Sequence, residues 1–128
     1  MRDTDLNVTL RSDNQEAGYM ADIAEGLTKP LSELPTEQPF VYWRLVKNQY
    51  RYDIGFKQHD MLVLRREGVG GLFDLTFDEF MELSWILKNV VYPLYDIWFE
   101  NCPRKRSAPA FYHIHVAKYY EKREEICL

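Results

Sequence analysis

Cysteine, glycine and long apolar runs are all scarce in this sequence, and each scarcity removes a class of protein. Two cysteines, Cys102 and Cys127, in 128 residues are too few for the disulfide framework that staples small secreted domains. No stretch approaches the roughly 20 consecutive apolar residues of a membrane-crossing helix, so no membrane segment is expected. The opening Met1-Arg2-Asp3-Thr4-Asp5 lacks the charged-then-apolar order of a signal peptide. The expectation is an intracellular, reducing setting with both cysteines as free thiols, a bond between them being the alternative left open. Glycine is too thinly spread for a phosphate-cradling loop. Gly68-Val69-Gly70-Gly71 is not followed by Lys-Ser/Thr and opens no suitable helix. There is no nucleophile elbow either, and no organic cofactor is implied.

The groups that could still carry chemistry are sparse. Cys102 precedes Pro103-Arg104-Lys105, and neighbouring cations favour a thiolate, but no base accompanies it at a recognisable spacing. His113 and His115 are two apart, so on a strand they share one face. A zinc site would need a further ligand from elsewhere, and no metal is expected. Asp78 and Glu79 open a helix, where carboxylates serve the cap and the macrodipole. The expectation is therefore a binding protein, not an enzyme.

Aromatics and patterned charge are what the chain does have. Phe, Trp and Tyr make up 15% of it and apolar residues 46%, enough for one core with rings left over. The net charge of −4 hides alternating blocks. Residues 1–38 hold three basic and eight acidic side chains, 39–67 six and three, 68–100 one and six, and 101–128 six and three. Cations confined to one element can form a local binding face within an acidic protein.

Three segments follow. Residues 1–39 read as an acidic arm, partly disordered or docked, with Pro30, Pro35 and Pro39 near its end and a short helix over 19–27. Residues 40–100 read as the core domain. Phe40–Val46, Tyr50–Phe56 and Met61–Arg66 are strands; the second alternates cleanly, with Tyr50, Tyr52, Ile54 and Phe56 on one face. Lys57–Asp60 reads as a polar turn, and Leu72–Leu75 as a short fourth strand. Thr76-Phe77-Asp78-Glu79 has the form of a capping box, which predicts a helix over about 77–91. Pro93 ends or kinks it, and Leu94–Phe99 continues as a second helical piece. Residues 101–128 read as a basic extension in which Phe111–Val116 has strand character. The fold class is α+β: an antiparallel sheet of three to four strands followed by one long, Pro-interrupted helix.

Arg44, Lys47, Arg51, Lys57, Arg65 and Arg66 lie among Tyr42, Trp43, Tyr50, Tyr52 and Phe56. Cations can follow a phosphate backbone while aromatic faces stack on unpaired bases; the same pattern also describes a core strand with a solvated outer face. Residues 47–80 further resemble the positive cofactor four family of transcriptional coactivators and single-stranded-DNA-binding proteins. The matching residues are Lys47 and Tyr50, Phe56-Lys57, Leu62-Val63-Leu64-Arg65-Arg66-Glu67 and Leu75-Thr76-Phe77-Asp78-Glu79-Phe80. The chain departs from the family at Gly68, where an aromatic is common, and at Gly71, where a basic residue is expected. The resemblance implies a curved antiparallel sheet backed by a helix, paired as a homodimer, with single strands held by Lys47, Phe56, Lys57 and Arg66, and Tyr50 stacking or in the core. Arg51 and Arg65 join them because their charge lies on the same strands.

Two functions are carried forward. One is a single-stranded nucleic-acid-binding protein, for DNA or RNA, in transcription, replication or genome handling, cellular or viral. The other is a protein-interaction module on the same fold, with Tyr92–Phe99 or the acidic arm meeting a protein partner. Pro103-Arg104-Lys105-Arg106 is compatible with nuclear import and equally with a solvated loop.

Overall fold

The computed structural model describes residues 11–25, 36–105 and 110–126. Pro30, Pro35, Arg106 and Cys127 lie outside them. The protein is an α+β molecule built on one antiparallel sheet. Its strands are β1 (Thr36–Pro39), β2 (Trp43–Lys47), β3 (Phe56–Glu67), β4 (Ile97–Phe99) and β5 (Phe111–Tyr119), in the order β1-β2-β3-β5-β4. The sheet therefore has five strands where three to four are expected. β5, from within residues 101–128, lies between β3 and β4.

β3 and β5 are buried along most of their length because both flank the middle of the sheet. Alternate residues feed two faces. On one face Trp43, Leu45, Leu62, Leu64, Tyr112, Ile114 and Val116 form the main core with Leu83, Ile86, Val90 and Val91. The other face carries Val46, Met61 and Val63, then Tyr52, Phe56 and Ala117. Gly68, at a φ of 78° that favours glycine, turns the chain out of β3, and Val69 tucks back into the core.

Helix α1 spans Asp13–Glu25 and helix α2 spans Phe77–Ile86. The capping box forms as the sequence predicts. Thr76 Oγ1 accepts from Glu79 N at 3.1 Å, and the Glu79 carboxylate accepts from Thr76 N at 2.8 Å. Leu83 and Ile86 face the sheet, where the Trp43 indole N–H donates to Glu79 O at 2.9 Å. The Glu82 carboxylate accepts the backbone N–H groups of Val41, Tyr42 and Trp43, tying the turn before β2 to the helix.

The helix widens to a π turn over Leu87–Val91 and closes with a short α turn, α3 (Tyr92–Leu94). A widened turn is a natural response to Pro93, whose ring cannot sit against the carbonyl four residues back. The helix runs through Pro93 and stops at Leu94, so the expected helical piece over Leu94–Phe99 is corrected. Residues 97–99 are β4, because Ile97, Trp98 and Phe99 find Ala117, Val116 and His115 of β5 opposite them.

Three further expectations are corrected. Tyr50–Phe56 is a run of turns, not a strand, up to Phe56, which opens β3; Tyr52 O accepts from both Gly55 N and Phe56 N. Its alternation reflects a ring cluster, not a ladder. Lys57–Asp60 is not a turn but the start of β3. Its polar residues find distant partners there: His59 meets His115, and Asp60 accepts from Tyr95. Leu72–Asp74 forms a tight 3₁₀ turn instead of a fourth strand.

The arm docks in part. Ser12 gives its N–H and its hydroxyl to the two oxygens of Asp53, both at 2.6 Å. Arg11 donates to Tyr50 O and lies over the rings of Tyr19 and Tyr52. No helix among the described residues is long and apolar enough to cross a membrane.

Candidate nucleic-acid interface

Lys47, Arg51 and Lys57 converge on one open groove of about 930 Å³. Lys47 closes β2 opposite Asp60, and Arg51 lies in the turns between β2 and β3. Lys57 sits where the β3–β5 register slips by one residue, between the pairs Phe56–Tyr119 and Gln58–Lys118; such bulges re-aim side chains. Lys118 of β5 brings a fourth cation, and the far wall is made by Tyr92 to Asp96, with Tyr119 and Glu121 alongside. Lys47, Lys57, Tyr92 and Tyr119 are exposed.

Three carboxylates share the groove, and two are engaged. Asp60 is buried and accepts from the Tyr95 hydroxyl at 2.6 Å and from Gln58 Nε2 at 2.7 Å. Asp96 accepts from Tyr119 N at 2.8 Å. Lys118 Nζ lies 5.9 Å from the centre of the Tyr95 ring, within cation–π range. The groove thus gathers four cations, of which Arg51 also donates its Nε–H to Phe56 O at 3.4 Å, and exposed tyrosine faces on one space.

The remaining expected site residues are elsewhere. Tyr50 hydrogen-bonds Asp22 through its hydroxyl and packs against Tyr19. The Asp22 carboxylate, burial and the neighbouring Tyr19 push its pKa up to about 12. The ring is held by the arm. Phe56 is buried against Tyr52, Ala117, Ile97 and Phe99, so its face is not offered to a base. Arg65 and Arg66 lie at the opposite end of β3, about 26 and about 30 Å from Lys57 at ~3.3 Å per residue. Arg65 donates to Phe40 O at 3.2 Å. Arg66 holds both oxygens of the Glu79 carboxylate at 2.9 Å; that bond raises the arginine's pKa and holds the glutamate's below its ordinary value. Arg66 therefore anchors the cap of α2 to β3.

Lys118 and Tyr119 were not legible as site residues; they reach the groove only because β5 pairs with β3 across more than 50 positions of sequence, and no local pattern announces that pairing. Tyr92 and Tyr95, expected only within the protein-binding segment Tyr92–Phe99, come to the groove from the end of the helix.

The three histidines meet on the sheet face opposite α2. His59 Nε2 and His115 Nδ1 are 2.7 Å apart, and the His113 and His115 rings lie 5.1 Å apart. Tyr52 N donates to His59 Nδ1 at 3.0 Å, which leaves the His59 proton on Nε2, shared with His115 Nδ1. His115 then carries its own proton on Nε2, which is buried with no hydrogen-bond partner among the described residues. The described residues include no group of three or more His, Cys, Asp or Glu placed to hold a metal ion. Cys102 is an exposed free thiol. Compared with protein-family models, curated proteins and solved structures, the chain finds no match.

Proposed function

We propose that this protein binds single-stranded nucleic acid along the groove between the start of β3 and the end of α3, in transcription, replication or genome handling. The observation that carries the reading is the convergence of Lys47, Arg51, Lys57 and Lys118 with exposed Tyr92 and Tyr119 on one groove. The cations take successive phosphates while a tyrosine face stacks on an unpaired base, which tolerates any sequence. Of the residues expected from the sequence, Tyr50, Phe56, Arg65 and Arg66 lie outside this groove, and Lys118 lies in it.

Anisotropy of a labelled single-stranded oligonucleotide at several salt concentrations tests it. Four phosphate contacts correspond to a log–log salt slope of about −3, at ~0.7 per contact for single strands. Replacing Lys47, Lys57 and Lys118 together by alanine should flatten that slope by about 2. A folded protein that does not bind at low salt, or binds with the same slope after replacement, sinks the proposal.

A second reading, a protein-interaction module, is favoured by a separate observation. The outward face of α2 is apolar and exposed.

A further inference from the structure

A second concavity lies beside the groove, at the edge of the sheet. It holds about 440 Å³ between the end of α3 and β4, and its walls are Val91, Tyr92, Tyr95, Asp96, Ile97 and Trp98. Three of these are aromatic and one is a carboxylate. They come together because the helix stops at Leu94 and the chain passes at once into β4. Tyr92 and Trp98 are 71% and 38% exposed, so their rings are open to a ligand.

We propose that this pocket binds the trimethylated ammonium of a lysine side chain, presented by an extended peptide of another protein. The inference rests on the protein-interaction reading, gives it a site apart from the face of α2, and does not depend on what the groove binds.

Charge and ring chemistry select a cation. The negative face of an aromatic ring attracts positive charge, and several such faces around one space hold quaternary ammonium groups. Asp96 adds a carboxylate to the three rings. The pocket also lies wholly within residues 68–100, which hold six acidic side chains and one basic. Lys118 Nζ, 5.9 Å from the centre of the Tyr95 ring, shows that this ring already receives a cation. Lys118 lines the groove and is not a wall of the pocket.

The scarcity of acceptors selects methylation. Tyr95 gives its hydroxyl to Asp60 at 2.6 Å, and Asp96 Oδ2 accepts from Tyr119 N at 2.8 Å. A primary ammonium carries three N–H donors and holds its water strongly, whereas a trimethylated one has no N–H to satisfy. The walls are also set before a ligand arrives. Tyr95 N donates to Val91 O, Asp96 N to Ala117 O, and Trp98 is held opposite Val116. Such preorganisation lowers the cost of binding.

The edge of the sheet selects a peptide. β4 is last in the strand order, so among the described residues no strand pairs with the side of Ile97–Phe99 away from β5. An extended chain can add there through backbone hydrogen bonds, with one side chain entering the pocket that Ile97 and Trp98 help to line.

Proton NMR of a short blocked peptide, one trimethyl-lysine flanked by β-branched residues, titrated with the full chain, tests the proposal. The N-methyl resonance is expected to move upfield through the ring currents of the pocket. A peptide with unmodified lysine, and one with carbon in place of the quaternary nitrogen, should each bind at least about fivefold more weakly, the factor for one cation–π contact of moderate exposure. Asp96→Asn, which keeps an acceptor for Tyr119 N, should weaken binding by a similar factor. Trp98→Ala should do the same yet leave oligonucleotide affinity unchanged, because Trp98 is not a wall of the groove. Circular dichroism verifies folding, and Tyr92→Ala, at a more exposed ring, provides a second disruption. A resonance that stays in place at millimolar protein overturns the proposal, and so does full affinity in the folded variants. Equal binding of the neutral peptide would make the pocket merely apolar and equally overturns it. Phosphocholine binding more tightly than the peptide overturns a peptide as the source of the cation.

Discussion

Lowering the pH from 7 to 5 should remove about 4 kcal/mol of stability from this protein, because two of its histidines are held neutral inside the sheet. His59 and His115 are 3% and 2% exposed. Burial, with the charge of Arg11 and the neighbouring His113, pushes the pKa of His59 down to about 3; burial, with His113 and His59, pushes that of His115 down to about 2. The geometry gives the same direction. His59 Nδ1 accepts from Tyr52 N while its Nε2 shares a proton with His115 Nδ1, so a further proton on this pair would force two N–H groups together or break the bond to Tyr52. In the unfolded chain both rings return to about 6.5. Between that value and the folded pKa values the unfolded state binds protons that the folded state refuses, so stability is full above about 6.5 and falls as pH drops. Each ring loses about 1.9 kcal/mol between pH 7 and 5. That is a large part of the 5–15 kcal/mol typical of a small domain.

Urea unfolding at half-unit steps from pH 7.5 to 4 reads this directly. His115→Asn, which keeps an acceptor near His59 Nε2, should halve the loss. Glu79, also depressed, acts only at the lower pH where carboxylates titrate, so it does not mimic the effect. A stability that stays level from pH 7 to 5 and drops only below about 4.5 would refute the reasoning.

Other perturbations separate structural from binding residues. Arg66→Ala should lower Tm by releasing the Glu79 carboxylate, yet leave oligonucleotide affinity unchanged in anisotropy, because Arg66 is remote from the groove. Thr76→Ala should cost about 1 kcal/mol in urea unfolding through loss of the cap. Asp53→Ala, which strands the N–H and hydroxyl of Ser12, should cost about 2 kcal/mol and expose α1 to limited proteolysis. In a spectrophotometric pH titration, one tyrosine should ionise near 12 instead of 10, and Asp22→Asn should bring it back toward the ordinary value.

Local chemistry was legible in the sequence. Thr76 and Glu79 announced the start of α2, and the run from Met61 to Leu64 gave the heart of β3. These features depend on residues a few positions apart, so composition and period suffice to find them. The sheet side of α2 was legible only in part, since the expected row of Phe77, Phe80, Leu83, Leu87 and Val90 holds the buried Leu83 and Val90 but also the exposed Phe77 and Phe80, and misses the buried Ile86. Lys47, Arg51 and Lys57 were also legible as a basic group, since they lie within eleven positions of one another.

What failed was whatever depends on a distant partner. Tyr50–Phe56 alternates as a strand does, but its polar groups go to Ser12 and His59, and among the described residues no strand lies beside it before Phe56. His59 and Asp60 look like turn residues until His115 and Tyr95 satisfy them inside the sheet. Ile97–Phe99 is apolar enough for either a helix or a strand, and β5 decides. By itself the sequence determined an α+β chain with a capped helix, a basic aromatic region and an acidic one. Only the tertiary structure decided that β5 enters between β3 and β4. That insertion buries the histidines and carries Lys118 to the groove, while the far end of β3 sets Arg66 against Glu79. The physical reason is that a buried polar group is defined by its partner, and here the partners lie tens of residues away.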